Sequence, residues 1–394
     1  MAELVDATVE IVDADRARVT FAHPPGAGQY RVVVLGFGAE TGVPPSPPPP
    51  PAELVGLRHL PPGIGHLSGV DPATGGVQWT HNTQYWREGY DWQHLANRLV
   101  VCGPITGGAP PVTVYDMTPL PTFVRHHWLS VTASRVLVNR DGDYFVGMQG
   151  VGSAVAVYRF AADGTQLWAL PTDNPGGNND DVAGLDYDER GGWVYTAEGR
   201  MYNATRTIRK INAETGAEIW AITTPPAASG VVVTADQSII VGFSASSASP
   251  RRILHKYDSD GNFQWEVPLQ GTTWGTVTQL RAGPNGEAYF CMSGGTPTLT
   301  DERIGYIGRV NADGSIPWLY NPGVIGFGRI VQGLSLDQQG NVLACEATLR
   351  DPPEPTLWRL TADGGLVWAI NADRFMRLEN EHHRLGTLPA EWGV

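Results

Sequence analysis

The chain has 394 residues and a formal net charge of −13 at pH 7, with 42% hydrophobic and 17% charged residues. This much apolar sequence excludes wholesale disorder, and the acidic balance disfavours a nucleic-acid groove, which needs a positive stripe. The 3 cysteines cannot build a disulfide framework, so we expect a large core that is held together by packing.

The turn-forming residues indicate the fold class. The chain contains 48 glycines and 31 prolines, about a fifth of all residues, without a collagen-like period. This composition is typical of many short strands joined by tight turns. No run of about 18 apolar residues is present, so no membrane span is predicted. The first residues, MAELVDATVEIVDAD, lack the basic and apolar regions of a signal peptide, so we expect synthesis in the cytoplasm without signal-dependent export.

Three regions are predicted along the chain. Residues 1–43 form a short β segment, with strands in VEIVDADRARVTFAH and QYRVVVLGFG. Residues 44–52 are a proline-rich linker, which is extended and stiff and suggests tethering. Residues 53–394 are the main domain with a short C-terminal tail, where ADRFMRLENEHHRL is compatible with a short helix.

A repeated motif organises the main domain. A turn dipeptide is followed four residues later by tryptophan, and successive tryptophans lie about 50 residues apart, except for a first gap of about twice that length. Near the middle of that gap, VTVYDMTPLPTFVRHHW ends at Trp128 and is interpreted as a repeat without its glycine turn, which makes seven units. The six complete motifs are Thr74-Gly75 with Trp79, Asp163-Gly164 with Trp168, Thr215-Gly216 with Trp220, Asp260-Gly261 with Trp265, Asp313-Gly314 with Trp318, and Asp363-Gly364 with Trp368.

Each unit contains four predicted strands, most clearly in residues 230–267. Antiparallel four-stranded units of this length are typical of β-propeller blades. The sequence therefore predicts an all-β, seven-bladed β-propeller of four-stranded antiparallel blades. Eight blades, with residues 1–43 as a degenerate one, are the alternative; those residues are otherwise interpreted as completing the first blade or as an anchor outside the ring. The coils of a solenoid are shorter than these units, and a string of sandwiches would not repeat the tryptophan in register.

Small residues recur at one place in the second strand. The aligned units have Cys102, Gly147, Ala197, Gly242, Cys291 and Cys345 there. A sheet face that packs against the next blade admits only small side chains at such a point. We therefore predict that the cysteines are packing residues without disulfides.

A cation recurs in the third strand, opposite the tryptophan. Counting outward from the turn, the predicted pairs are Arg159–Trp168, Lys210–Trp220, Lys256–Trp265, Arg309–Trp318 and Arg359–Trp368. Directly opposed residues share a sheet face about 5 Å apart, so each cation is predicted to lie over its indole. Together with Trp79, these tryptophans form a predicted structural ladder with one member per blade.

These units resemble the quinoprotein-like (PQQ-type) propeller repeat, whose pattern is Asp-x-x-Thr-Gly-x-x-x-Trp. Residues Asp71 to Trp79 and Asn212 to Trp220 match it best, and the resemblance covers roughly residues 65–370. It implies that the tryptophan docks one blade against the next. The family includes quinone-dependent dehydrogenases, outer-membrane assembly scaffolds and binding modules. The dehydrogenases have an adjacent cysteine pair, which this sequence lacks, so the resemblance implies a fold more than a function.

Two loops between units are candidate sites, because function in propellers concentrates in loops. Residues 81–94 combine flat rings with polar side chains, which suits sugar stacking or a protein contact unless the rings pack onto the blades. The candidate ligand-binding residues there are Tyr85, Trp86, Arg87, Glu88, Tyr90, Asp91 and Trp92. Residues 171–181 offer oxygen ligands for calcium, the one cofactor considered, and a solvated turn is the alternative. The candidate ligands are Asp173, Asn178, Asp180 and Asp181.

No nucleophile elbow, phosphate loop, HExxH or dinucleotide fingerprint occurs in the sequence, and the adjacent histidines His126 and His127 should point to opposite faces of a strand and share no metal. The leading hypothesis is a non-enzymatic binding or structural propeller tethered to other proteins of a larger assembly. A phage-type virion appendage or decoration protein that contacts a host surface or its glycans is one form of it. The alternatives are a polysaccharide hydrolase or lyase and an intracellular scaffold for protein partners.

Overall fold

The computed structural model describes the strands and tight turns of this chain. The described residues are 7–13, 16–21, 54–60, 64–70, 77–82, 91–95, 97–103, 111–117, 121–129, 131–149, 155–171, 182–198, 207–224, 227–245, 252–268, 274–295, 303–322, 330–337, 340–347, 357–370 and 375–380. Every element in these ranges is a strand or a turn, which confirms the all-β prediction.

The chain divides into two compact units, Met1–Pro49 and Pro50–Val394. The first unit contains an antiparallel hairpin of β1 (Ala7–Asp13) and β2 (Arg16–Phe21). This hairpin lies within the predicted N-terminal β segment. Whether residues 1–43 are an anchor or part of a blade stays a prediction.

The second unit is a succession of antiparallel sheets, numbered here in chain order. Sheet 1 has the order β30-β3-β4-β5 and contains β3 (Leu54–Leu60), β4 (Ile64–Val70), β5 (Val77–Asn82) and β30 (Phe375–Asn380). Sheet 2 contains β6 (Asp91–Leu95), β7 (Arg98–Cys102), β8 (Val112–Asp116) and β9 (Thr122–His127). Sheet 3 contains β10 (Thr132–Val138), β11 (Tyr144–Gln149), β12 (Val155–Phe160) and β13 (Gln166–Pro171). Sheet 4 contains β14 (Val182–Asp188), β15 (Trp193–Glu198), β16 (Thr207–Asn212) and β17 (Glu218–Thr223).

Sheet 5 has eight strands, because its two halves pair through β19 and β22. Half 5a contains β18 (Ala227–Val233), β19 (Ile239–Ala245), β20 (Arg252–Tyr257) and β21 (Phe263–Pro268). Half 5b contains β22 (Trp274–Ala282), β23 (Ala288–Gly295), β24 (Arg303–Val310) and β25 (Trp318–Tyr320). Sheet 6 contains β26 (Ile330–Leu336), β27 (Val342–Ala347), β28 (Leu357–Leu360) and β29 (Leu366–Ile370).

Successive sheets contact each other in a closed circuit. The inner strand β6 contacts β30 and β10, β14 contacts β10 and β18, β22 contacts β18 and β26, and β26 contacts β30. Each sheet or half-sheet therefore packs against two neighbours, and most of the core lies in these contacts. The contact between two successive sheets is called a seam below.

The C-terminal part of the chain completes sheet 1. Strand β30 pairs antiparallel with β3, from Leu54–Asn380 to Arg58–Phe375. The helix considered for this segment is therefore wrong at residues 375–380. The partner strand β3 lies at the opposite end of the domain in sequence, and such long-range pairing overrides a local helical pattern.

Bulges in the inner strands bring neighbouring strands into contact. The ladder shifts register once in each of β10, β14, β18, β22 and β26. Ser134, at the bulge of β10, donates to the Val182 carbonyl of the next sheet at 2.8 Å. A bulge increases the local twist and frees backbone groups, and here a side chain uses one of them across a seam.

Aspartates fix the hairpins between the third and fourth strands. Asp163 accepts a hydrogen bond from the Thr165 N–H at 2.8 Å, and Asp313 accepts one from the Ser315 N–H at 2.9 Å. Hydrogen bonds from Thr165 and Ser315 lower the pKa of these two carboxyls. The turn sequence thus sets the register of the strands on either side.

The predicted small position lies in the seams. A Cβ at Gly147 would lie 2.6 Å from Cγ1 of Val182 in the next sheet, so the site admits glycine only at this separation. Cys102, Cys291 and Cys345 are fully buried and form no disulfide. The interpretation of the cysteines as packing residues is confirmed.

The cysteines lead to a simple labelling prediction. Burial raises the pKa of the Cys291 thiol well above its ordinary value, and thiolates are the reactive form. We expect the native protein at pH 8 to react with no equivalent of an aromatic disulfide reagent, and the unfolded protein in guanidinium chloride to react at all 3 cysteines. Rapid reaction of one equivalent in the native state would contradict the packing role.

Candidate functional site

Trp168 joins sheet 3 to sheet 4. Its Nε1 donates to the Ala213 carbonyl at 2.7 Å, and the indole lies against the turn at Gly216. Arg159 donates to the same carbonyl through Nη1 at 2.8 Å. One carbonyl of the next sheet thus receives two donors from the hairpin of the previous sheet. The contact of the indole with this carbonyl and with the glycine turn is called the indole clamp below.

The indole contact recurs in the next three seams. Nε1 of Trp220 donates to Ser259 at 3.2 Å, that of Trp265 to Ala312 at 2.8 Å, and that of Trp318 to Ala362 at 2.9 Å. The second donor recurs as Lys210, 2.8 Å from the Ser259 carbonyl, and as Lys256, 3.4 Å from the Ala312 carbonyl. A contact that repeats from seam to seam belongs to the framework, and it has the docking geometry that the resemblance implies.

The cations pair with the tryptophans in the predicted register but cover other rings. Arg159 is directly opposite Trp168 in the ladder, and the same holds for the other four predicted pairs. The guanidinium of Arg159, however, lies 5.7 Å from the ring centre of Phe145 on the second strand. Lys210 lies over Trp193 at 4.6 Å and Arg309 over Tyr289 at 6.0 Å. The predicted contact with the indole directly across the hairpin is therefore wrong for these three, because each cation lies beside a ring of the second strand.

Most of these cations are neutralised within their own sheet. Arg159 Nη2 lies 2.7 Å from Asp143, Lys256 Nζ 2.7 Å from Asp236, and Arg359 Nη2 2.9 Å from Asp337. The carboxylates come from the turn between the first and second strands. Each of these three cations is thus paired with a carboxylate of its own sheet or half-sheet.

Sheet 2 departs from the pattern. Arg125 pairs with Val114 next to a register shift, the ladder position that Trp168 has opposite Arg159 in sheet 3. Its guanidinium lies against the turn at Gly164, where the four seams described above have an indole. Trp128 follows the end of β9 and is 67% exposed. The stretch interpreted as a repeat without its glycine turn does form the third and fourth strands of a four-stranded sheet, but Arg125, and not Trp128, has the ladder position of the tryptophan.

The adjacent histidines point to opposite faces of β9, as predicted. His126 Nδ1 lies 3.0 Å from Thr113 Oγ1, and its ring lies 4.4 Å from that of Phe123 within the same sheet. His127 instead forms a hydrogen bond with the Tyr144 hydroxyl of sheet 3. The two imidazoles therefore do not share a ligand.

A buried charge cluster in sheet 4 was missed by the sequence analysis. Arg209 Nε lies 2.9 Å from Glu198 Oε1, and its Nη1 donates to Glu218 at 2.8 Å. Thr196 donates to Glu198 at 2.9 Å, and Arg209 and Glu198 are almost completely buried. The sequence signal for this cluster was the basic pair Arg209-Lys210, but only Lys210 was given a predicted partner. Because one guanidinium contacts both glutamates, the cluster is an ion-pair network.

The predicted loop sites lie mainly outside the described residues. This applies to Tyr85, Trp86, Arg87, Glu88, Tyr90, Asp173, Asn178, Asp180 and Asp181. Asp91 and Trp92 begin β6, where they pair with Cys102 and Val101, and Trp79 of β5 pairs with Gly69. Both candidate sites stay predictions.

The described strands and turns contain neither a metal-binding cluster nor a membrane-spanning helix. Among these residues, no group of three or more His, Cys, Asp or Glu side chains is arranged to hold a metal ion. The same part of the chain includes no helix with the length and apolar character needed to cross a membrane.

Solved structures similar to this chain share its arrangement of sheets. Hydrazine synthase of Kuenenia stuttgartiensis is 13% identical, with a TM-score of 0.53 over 70% of this chain and 77% of that one. The β-propeller domain of Cps50 (Swd1) of Myceliophteria thermophila is 10% identical, with a TM-score of 0.52 over 73% of this chain and 92% of that one. The chain is a β-propeller.

A further similar structure is dihydro-heme d1 dehydrogenase NirN in complex with DHE, which is 13% identical with a TM-score of 0.53 over 88% of this chain and 79% of that one. At such identities the likeness shows the fold alone. No protein-family model matches the sequence, and no match is found among curated proteins. The number of blades in this propeller and its PQQ-type character stay predictions.

Proposed function

We propose that this propeller is a non-enzymatic module that binds other proteins of a larger assembly. The observation that supports it is an exposed apolar residue on the fourth strand of each of six sheets or half-sheets. These six residues are called the belt below. Their side chains are between 38% and 52% exposed. The belt consists of Phe123, Leu167, Ile219, Phe263, Leu319 and Leu366. A recurring exposed apolar surface is favourable for a protein contact.

The belt lies on sheet edges, which adds a second means of binding. In the described sheets, β9, β13, β17, β25 and β29 each pair with one strand only, and β21 likewise ends its half of sheet 5. An edge strand offers unpaired N–H and C=O groups to an incoming strand. Partner side chains would then cover the apolar residues while the partner backbone extends the sheet.

The test compares the belt with polar residues on the same strands. The belt variant carries Leu167→Lys, Ile219→Lys and Phe263→Lys, and the matched control carries Gln166→Lys, Thr223→Lys and Gln264→Lys, all at exposed positions. We expect cross-linking in the natural host to join the wild type and the control to the same partners, and the belt variant to lose them. Unchanged partners for the folded belt variant, or a wild type that is cross-linked to nothing, would contradict the proposal.

A finer form of the proposal is that the assembly is a virus-like particle of the phage type. The supporting features are a separate N-terminal unit with a β hairpin and the proline-rich stretch that follows it. This form predicts that the protein co-sediments with particles through a sucrose gradient. Recovery only in the free fraction would contradict the particle, and cross-linked partners in that fraction would still support protein binding.

A further inference from the structure

The seam between sheets 2 and 3 is built without an indole. Arg125 fills the place of the tryptophan against the Gly164 turn. The charge of Arg125 acts on the Asp163 carboxylate of that turn, and Arg125 forms a hydrogen bond with the Tyr144 side chain. This seam therefore depends on polar groups at a point where the four clamped seams use a large apolar ring.

A histidine makes contacts across the same seam. His127, the last residue of β9, hydrogen-bonds with Tyr144 of β11, and its ring centre lies 4.3 Å from that of Phe160 on β12. Tyr144 stacks on Phe160 at 5.4 Å, and Tyr158 lies beside Phe160 at 5.9 Å. The imidazole is thus an integral part of the aromatic packing between the two sheets.

The charged groups around His127 are mainly cationic. Arg125 and His126 act on it from β9, while Tyr144 faces it from β11 and Phe160 and Tyr158 form the apolar side from β12. Arg98 of β7 and Asp163 of the facing turn act on Tyr144. Within the described part of the chain, His127 has no carboxylate partner.

These surroundings favour the neutral imidazole. Burial, together with the charges of Arg125 and His126, lowers the pKa of His127 from 6.5 to about 4. Burial also raises the pKa of Tyr144 to about 12, so at pH 7 the His127–Tyr144 contact joins two neutral groups. A proton on His127 would add a positive charge beside Arg125, in surroundings whose burial disfavours the charged form.

A more deeply buried histidine, His255, provides the contrast. His255 of half 5a lies 3.2 Å from the Tyr257 hydroxyl and 3.9 Å from Glu266 Oε2. A carboxylate beside His255 can compensate a proton there. Half 5a is also joined to sheet 4 and to half 5b by the indoles of Trp220 and Trp265.

We infer that the seam between sheets 2 and 3 is an acid-labile joint, which opens when His127 is protonated while the clamped seams stay closed. In the folded state the pKa of His127 is lowered from 6.5 to about 4. The closed seam therefore has its full stability above pH 6.5 and loses it as the pH falls towards 4. With a His127 pKa of 6.5 in the open seam and about 4 in the closed seam, the equilibrium constant for opening is about 70-fold larger at pH 4.5 than at pH 7.5. A pH-dependent joint would let the propeller release or admit a partner at one place in its circuit.

Hydrogen–deuterium exchange of the full chain at pH 7.5 and 4.5, corrected for intrinsic rates, tests the joint. We expect peptides from β9 and β11 to lose protection by about 70-fold in acid, and peptides from β16, β17, β20 and β21 to change little. His127→Gln should remove the pH dependence, and the matched variant His255→Gln should keep it. Arg125→Trp should restore an indole and increase protection of β9 and β11 at both pH values.

Two outcomes would overturn the inference. One is an equal acid loss of protection in all seams of the wild type, and the other is an unchanged pH dependence in His127→Gln. If His127→Gln does not fold, the pKa of His127 in the wild type can be measured from exchange of its imidazole C2 hydrogen. A value above 6 would equally overturn the joint.

Discussion

Trp168→Ala should lower the free energy of unfolding by about 3 to 5 kcal/mol, because it empties the indole site in a seam. The change removes the packing against the Gly216 turn and the hydrogen bond to the Ala213 carbonyl. Arg159 would remain as the single donor to that carbonyl. Urea unfolding followed by circular dichroism measures the loss as a shift of the midpoint.

Two control variants separate packing from hydrogen bonding. Trp128→Ala removes an indole that is 67% exposed and should change stability by no more than about 0.5 kcal/mol. Trp168→Phe keeps much of the ring volume but cannot donate, so its cost should be intermediate. Similar losses for Trp168→Ala and Trp128→Ala would show that the clamp contributes no more than a surface ring.

The register of the outer hairpins could be predicted because it is set locally. Asp163 and Gly164 form a tight turn, and pairing outward from it places Arg159 opposite Trp168. The small residue at Gly147 could also be predicted, since it repeats with the blades. This register could not predict which ring Arg159 covers, because that ring, Phe145, belongs to the second strand.

The missed features depend on contacts between distant parts of the sequence. Strand β30 was not predicted because its partner β3 lies at the other end of the domain. The role of Arg125 was not predicted, because the turn before it lacks the glycine from which the ladder position is counted. Its position is defined by the contact with Gly164 of the next sheet. Arg209 and Glu198 occur in one sheet, and the repeat pattern of the sequence gives them no counterpart in the other sheets.

The stability of the clamps bears on the proposed function. Four seams are joined by an indole and a backbone carbonyl, so a partner that binds the belt meets sheets that are fixed relative to each other. Fixed edges favour binding, because little conformational entropy is lost on association. The exception at Arg125 and His127 is then the place where acid would alter the relation between two belt strands.

Gly364→Ala should cost about 3 kcal/mol, although it adds a single methyl group. Gly364 has φ +83°, which strains any other residue by about 1 to 2 kcal/mol. A Cβ would also lie 2.5 Å from Cδ2 of Trp318 and push the indole away from the Ala362 carbonyl. Such overpacking adds about 1 to 3 kcal/mol.

Gly192→Ala is the matched control, because Gly192 has φ +68° but nothing within 4 Å of the added carbon. It pays the backbone strain alone, so we expect a loss of about 1 kcal/mol. Thermal and urea unfolding of both variants would measure the difference between them, which is the cost of crowding one indole clamp. An equal loss in the two variants would mean that the turn gives way without disturbing Trp318, and that glycine is needed there for its backbone conformation and not for the close approach of the indole.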